Sequence, residues 1–241
     1  MRRIKAIDGD IFTPTGQTKL ELDLAREHPD EVIEVIGRRL SHERKMRIED
    51  VISHRTNKLQ VAVEGVNDPH NTAAIIRTAD AYGIQNVHII EGAKKFKSSK
   101  KVTQGSHKWV DISVWSTTGV FIEAMRQKKM KVLVAAMVGE INVNTMPVDE
   151  PTVLVFGNEA EGISKQMFEL CDGAFRIPMF GFVESLNVSV AAAVAVSSLR
   201  KEGICQVPPP ELQILKARFY LRAIKAGYDI VMLNRQRSQK K

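Results

Sequence analysis

Cysteine is scarce in this chain of 241 residues: only Cys171 and Cys205 occur, without the spacing of a zinc site or a disulfide framework. A reduced, cytoplasmic protein with no structural metal is expected. Long hydrophobic runs are absent as well. The most apolar stretch, the Ala/Val/Ser segment after Asn187, is too short and too rich in Ser to span a bilayer, and no signal peptide is present. No internal repeat occurs. The lack of any G-x-G-x-x-G removes the ordinary dinucleotide site. Gly157 and Gly162 have the five-residue spacing of a phosphate loop, but Ile163 stands where the Lys must be, which excludes a nucleoside-triphosphate site. The six His are scattered, and His70, beside Asn71, reads as a turn residue.

What the chain has in excess is positive charge, 35 Lys and Arg against 28 Asp and Glu, for a net +7. The cations are clustered. One run holds Arg38, Arg39, Arg44, Lys45 and Arg47, a second Lys94, Lys95, Lys97, Lys100 and Lys101, and the C-terminus adds Arg235, Arg237, Lys240 and Lys241. Such a surface attracts phosphate, although any one run by itself reads as a solvated face. With 44% hydrophobic residues, the chain has enough apolar mass for one substantial core and a small appendage.

Three segments carry the chemistry. In Gln60–Gly83, Val61–Val63 reads as a strand and Asn67-Asp68-Pro69 as a turn. Asn71 then caps a helix with Arg77 two turns in. In Thr152–Ser164, a continuous β-branched run suits a strand buried on both faces of a parallel sheet. Gly157 turns the chain out of it and Glu159 follows at its carboxyl end, where open α/β sheets place ligands. In Phe175–Leu199, a short strand over Phe175–Ile177 leads through Pro178 and a loop with Gly181 to Ser185, Leu186 and Asn187 at a helix start. Read singly, each segment fits an ordinary α/β core. Asn71 is then only a cap, Arg77 a surface partner of Asp80, and Glu159 and Glu161 solvated loop acids.

Together the three segments resemble the TrmH-like (SpoU) branch of the SPOUT RNA methyltransferases. Asn71 and Arg77 match its Asn-x5-Arg motif, and Gly157 and Glu159 its second motif. Ile177 to Met179 with Ser185 to Ser189 match the third. Gly105 to Val110, reading GSHKWV, is similar to a segment of the tRNA-modifying members. The likeness covers about Ser41 to Arg200.

The resemblance implies an α/β fold: a SPOUT-type parallel sheet with helices on both faces and a C-terminal trefoil knot, plus helical N- and C-terminal extensions. It implies S-adenosylmethionine as cofactor, with Ala135, Gly157, Ile177, Met179 and Leu186 lining its pocket. Arg77, Asn71, Glu159, Ser185 and Asn187 become the catalytic set, with Arg77 as base or as a fork that grips phosphate and stabilises a developing alkoxide. Arg44, Lys45, Arg47, Lys94, Lys95 and Lys97 are the candidate RNA contacts. The implied activity is ribose 2′-O-methylation of tRNA, at the D-loop guanosine of position 18, by a homodimer with no membrane or metal partner. An rRNA ribose is the alternative within the same chemistry, and a non-catalytic RNA-binding protein on the same scaffold is the alternative of another class.

The chain divides into an N-terminal extension, 1–58, a methyltransferase domain, 59–200, and a helical, basic tail, 201–241. Helices are expected over Asp30–Leu40, within Ser41–Lys58 and from Glu211 to about Ala226, the second packing through Met46, Ile48, Val51 and Ile52. The helix after Asn187 is apolar nearly all round, more than one sheet face needs to cover it.

Overall fold

Unbroken aliphatic runs set the sheet. The computed structural model describes residues 11–12, 19–91, 108–200 and 207–238. Its strands are β1 (Ile11–Phe12), β2 (Leu59–Glu64), β3 (Asn86–Ile90), β4 (Asp111–Trp115), β5 (Lys131–Ala135), β6 (Ile141–Asn142), β7 (Thr152–Phe156) and β8 (Gly173–Arg176). They form one sheet in the order β1-β4-β3-β2-β7-β5-β8-β6, parallel throughout except for β1 against β4.

Alternate residues of each strand feed two cores. Leu59, Val61, Val63, Leu133, Leu154 and Phe156 face α4 (Pro69–Ala81) and α7 (Val188–Leu199). Ala62, Val132, Val134, Val153 and Val155 face α5 (Thr118–Gln127) and α6 (Lys165–Leu170). A sheet covered on both faces favours apolar residues at successive positions, with Gln60, His88 and Ser113 as buried polar exceptions.

This sheet belongs to one of two compact units, Met1–Pro14 with Thr56–Cys205. The second unit, Thr15–Arg55 with Gln206–Lys241, is built from α1 (Lys19–Glu27), α2 (Pro29–Gly37), α3 (His42–Ser53), α8 (Pro209–Ala223) and α9 (Gly227–Ser238). Val32, Ile36, Ile48, Ile52, Phe219 and Leu221 form its interior, and the Arg55 guanidinium lies 5.5 Å over the Phe219 ring. Glu31 accepts a forked pair of bonds from Arg235, at 2.6 and 2.9 Å to one oxygen, and Gln213 donates to Asp30 at 2.7 Å. Met46, expected to pack, is instead 56% exposed; Ile48 and Ile52 alone supply the buried stripe of α3. Neither α1 nor α9 is among the helices expected from the sequence; α1 is nonetheless strongly amphipathic, whereas α9 buries only Gly227 and Val231 and has little periodicity.

Strand order has one consequence for the site. Since β8 lies between β5 and β6, the connection 136–140 must cross over it. Ala136 N–H donates to the Phe175 carbonyl at 2.9 Å, and the Arg176 guanidinium donates to the Gly139 carbonyl at 2.7 Å. A Cβ on Gly139 would sit 2.5 Å from the Phe175 carbonyl carbon, so only glycine lets the two backbones cross this closely. The observed β8 ends at Arg176, one residue before the expected strand end, where the crossing takes over.

α7 divides its apolar residues. Val188, Ala192, Ala195, Val196 and Leu199 point into the core, while Val190 and Val194 are 47% and 36% exposed.

Under the α5 face lies a buried polar chain. His88 Nε2–H donates to Gln60 Oε1 at 2.7 Å, and Trp115 Nε1–H donates to His88 Nδ1 at 3.2 Å. Burial, and secondarily the Lys128 ammonium, push the His88 pKa from 6.5 down to about 3. Protonation would also turn Nδ1 into a donor facing the indole N–H. In the unfolded chain His88 takes its proton near pH 6.5, so between pH 6.5 and about 3 the unfolded state binds the additional proton and stability falls as pH falls. Urea melts should record a loss of up to ~1.4 kcal/mol per pH unit in that window from this group. His88→Gln should flatten the dependence at a lower overall stability; an unchanged slope would contradict the assignment.

Candidate active site

At the carboxyl end of β7 the chain turns back on itself within five residues. Asn158 and Gly162 exchange backbone hydrogen bonds at 3.0 and 2.9 Å, and the Asn158 side chain accepts from Ala160 N–H at 2.7 Å while donating to the Gly65 carbonyl at 2.8 Å. A Cβ on Gly157 would lie 2.3 Å from the Gly162 carbonyl group, and Gly162 itself has φ +70°. Close approach at one glycine and a left-handed backbone at the other explain a spacing that the sequence shares with phosphate loops.

This turn presents Glu159 to two other segments. The Asn71 side-chain amide donates to the Glu159 carboxylate, and the Asn71 carbonyl accepts from the Asn187 amide at 3.1 Å. Asn187 in turn accepts from the N–H and hydroxyl of Ser189, at 2.9 and 2.6 Å, and so caps α7 as expected. Asn71 is not the cap of α4. Asp68 holds that position, accepting from His70 N–H at 2.8 Å. Asn71 lies in the first turn, where its amide is committed to side chains rather than to the helix end.

Beside this cluster is a cavity of about 460 Å³. Ala135, Gly157, Ile177, Met179 and Leu186 all line it, together with Phe156, Phe168, Phe175 and Ile163. Glu159, Glu184 and Ser185 contribute its polar rim. The lining is mostly apolar with a few convergent polar groups, and its volume lies in the range of small-molecule sites. Gly181, in the loop before α7, has no left-handed φ and open space where a Cβ would be.

Asn71, Glu159 and Asn187 are thus brought together, with Ser185 at the adjoining rim. Arg77 is not among the residues lining the cavity. It is exposed, two turns along α4 from Asn71, about 9 Å further on and some 120° around the helix. In the helical unit Arg44 and Arg47 are exposed on α3 and Lys45 is half-buried; Arg47 donates to Asp50 at 2.7 Å. Lys94, Lys95 and Lys97, with Lys100, Lys101 and Gly105 to His107, lie outside the described residues.

Sequence reasoning passed over Glu64. Buried at the carboxyl end of β2, its carboxylate accepts from Thr118 Oγ1 at 2.6 Å, Ser164 Oγ at 2.8 Å and Ser164 N–H at 2.9 Å. Those bonds fix the starts of α5 and α6 against β2. They also line a second cavity of about 410 Å³, which shares Asn158 and Gly162 with the first. An acid closing a buried strand is the mark it leaves in the sequence. Among the described residues, no group of three or more His, Cys, Asp or Glu is placed to hold a metal ion, and no helix is long and apolar enough to cross a membrane.

Comparison with known proteins bears on the same residues. A tRNA (guanosine(18)-2′-O)-methyltransferase of Thermus thermophilus is 35% identical over 160 residues, covering 66% of this chain and 82% of that protein. The crystal structure of the Aquifex aeolicus TrmH/SpoU tRNA modifying enzyme superposes with a TM-score of 0.66 at 32% identity, over 76% of this chain and 98% of that one. The SpoU methyltransferase AviRb from Streptomyces viridochromogenes, solved in complex with AdoMet, gives a TM-score of 0.55 at 26% identity over 62% of each chain. Residues 58–197, which contain the whole Asn71–Glu159–Asn187 cluster and the cavity beside it, match the model of the SpoU rRNA methylase family, and the chain belongs to that family, in its TrmH-like branch.

Proposed function

We propose that this protein transfers a methyl group from S-adenosylmethionine to the ribose 2′-oxygen of the D-loop guanosine at position 18 of tRNA, as a cytoplasmic homodimer. The observation that carries the reading is the convergence of Asn71, Glu159 and Asn187 beside a mostly apolar cavity. The shared sequence with tRNA (guanosine(18)-2′-O)-methyltransferases supports the choice of nucleotide.

The cavity suits the cofactor on chemical grounds. Ala135, Phe156, Ile177 and Leu186 offer apolar walls for a flat adenine, and the Glu159 and Glu184 carboxylates complement a cationic ligand. Main-chain groups at Gly157 and Met179 would hold it, and when bound it supplies an electrophilic methyl on a sulfonium. What the protein must add is an oriented hydroxyl and stabilisation of the charge that develops as its proton leaves. Glu159, Asn71 and Asn187 form a hydrogen-bonded series that orients the ribose beside Ser185. Arg77, as a permanently charged fork, holds the neighbouring phosphate and the developing alkoxide. Its place away from the cavity of its own protomer accords with a site completed across a two-fold axis. The crossing of 136–140 over β8 supports the knotted path implied by the family resemblance.

Incubation with labelled S-adenosylmethionine and separate unmodified tRNA and rRNA pools tests the assignment. Transfer to tRNA with the label at ribose 18 is expected, and exclusive labelling of rRNA would overturn the substrate.

Arg77→Ala should keep the fold and cofactor affinity and lose roughly 100- to 1,000-fold in kcat, the usual effect of removing one charge-stabilising donor. Turnover near wild type at saturating RNA would remove Arg77 from the reaction. Neutralising Arg44, Lys45 and Arg47 together, or Lys94, Lys95 and Lys97 together, should lower the salt slope of RNA binding by about 0.7 to 0.9 for each phosphate no longer neutralised. Retention of the full slope in both would show that these runs are merely solvated. The exposure of Val190 and Val194 supports the outer face of α7 as the dimer surface in this reading. Val194→Lys should sediment as a monomer and lose methyl transfer, and an active monomeric wild type would contradict the dimer.

A further inference from the structure

The phenylalanines whose side chains are described fall into two groups. Phe121, Phe156, Phe175 and Phe219 are at most 1% exposed, as large apolar rings in a folded core should be. Phe180 and Phe182 stand at 97% and 108% exposure, and the remaining ring whose side chain is described, Phe168, is 46% exposed on the lining of the first cavity. The exposed pair sits on the segment between β8 and α7, whose Met179, Glu184 and Ser185 line that same cavity.

The loop that carries the exposed pair has a defined task. Between β8 and α7 it sends Met179, Ser185 and Leu186 to the cavity and Asn187 to the Asn71 amide. Phe180 and Phe182 take no part in either, and a Cβ placed on Gly181 between them would meet no atom within 4 Å. At such exposure, no described residue of the sheet unit covers either ring. Two fully hydrated phenyl rings lose the burial free energy that other Phe side chains gain, and they do so within two residues of Met179 and Glu184 on the cavity lining.

The substrate has the matching chemistry. A nucleotide whose ribose enters an enzyme cleft leaves its stack, and the bases next to it lose a partner for one flat apolar face. Aromatic side chains replace that partner with little regard to base identity. The net charge of +7 brings the phosphates near, but a point charge cannot cover a base face. We propose that Phe180 and Phe182 form a stacking platform for an unpaired nucleobase adjoining the methylated nucleotide; this rests on the reading of the protein as an RNA ribose methyltransferase.

The test pairs three double variants, Phe180→Ala/Phe182→Ala, Phe180→Leu/Phe182→Leu and Phe180→Trp/Phe182→Trp. Anisotropy of labelled tRNA reads RNA affinity, calorimetry reads S-adenosylmethionine affinity, and sedimentation reads oligomeric state. The platform predicts that Ala and Leu weaken tRNA binding between roughly 5- and 150-fold, the range for loss of one stacked base, while Trp retains it. Cofactor affinity and sedimentation should stay at wild type in all three. Leu binding as well as Phe would overturn stacking in favour of plain apolar contact. A change in sedimentation would assign the rings to a second copy of the chain instead. A wild type that binds tRNA but transfers no methyl would sink the reaction on which the proposal rests, with the order of affinities among the three variants still deciding whether the rings stack, whereas a wild type without tRNA affinity would sink the platform.

Discussion

One side-chain amide holds the site together. Asn71 bonds to Glu159, 88 residues away in sequence, and to Asn187, 116 residues away. Each partner comes from a different carboxyl-end segment of the sheet, and each is delivered by a separate local device. Asp68 caps α4 so that Asn71 is released from that role, the tight turn at Gly157 projects Glu159, and Asn187 caps α7 with one end of its amide while reaching Asn71 with the other. Replacing Asn71 removes both bonds at once, whereas replacing Glu159 or Asn187 removes one and leaves the other.

The sheet order makes that meeting possible. β7 lies between β2 and β5, so the turn after it faces the β2–α4 junction on one side and the 136–140 crossing on the other. Two glycines carry the closest approaches, Gly157 against Gly162 and Gly139 against Phe175, and in both the missing Cβ would lie within 2.5 Å of backbone. Glu64 secures the same edge from the opposite face through three accepted bonds. The site is thus built by backbone proximity and side-chain hydrogen bonds, that of Glu64 with Thr118 buried and those of Asn71 at the surface.

Much of this was legible in the sequence, for reasons that can be named. Val153, Leu154 and Val155 signal a strand covered on both faces because no position among them tolerates a polar group. Asn187 signals a helix start because it precedes a run with no other breaker. That Ala135, Gly157, Ile177, Met179 and Leu186 share one cavity was legible only by resemblance to a family, since no periodicity marks residues drawn together from distant segments. Asn71 was misplaced as a cap because Asp68, Asn71 and the turn around Pro69 all fit a helix start by composition; the tertiary partner Glu159 decides between them. Glu64 and His88 were invisible, as their hydrogen-bond partners lie 54 to 100 and 27 to 28 residues away. The basic runs looked uniform in sequence, yet Arg47 and Arg235 are engaged by Asp50 and Glu31 within the helical unit. Charge counts overstate the cations available to phosphate when such pairs form.

The account stands on the identity of the first cavity as the cofactor site, and a crystal structure of the protein grown with S-adenosylmethionine tests it most directly. The cofactor should occupy the cavity bounded by Ala135, Gly157, Ile177, Met179 and Leu186, with its cationic end toward the Glu159 side. Density for it in the neighbouring cavity of Glu64 and Glu91, or no binding at saturating concentration, would contradict the account.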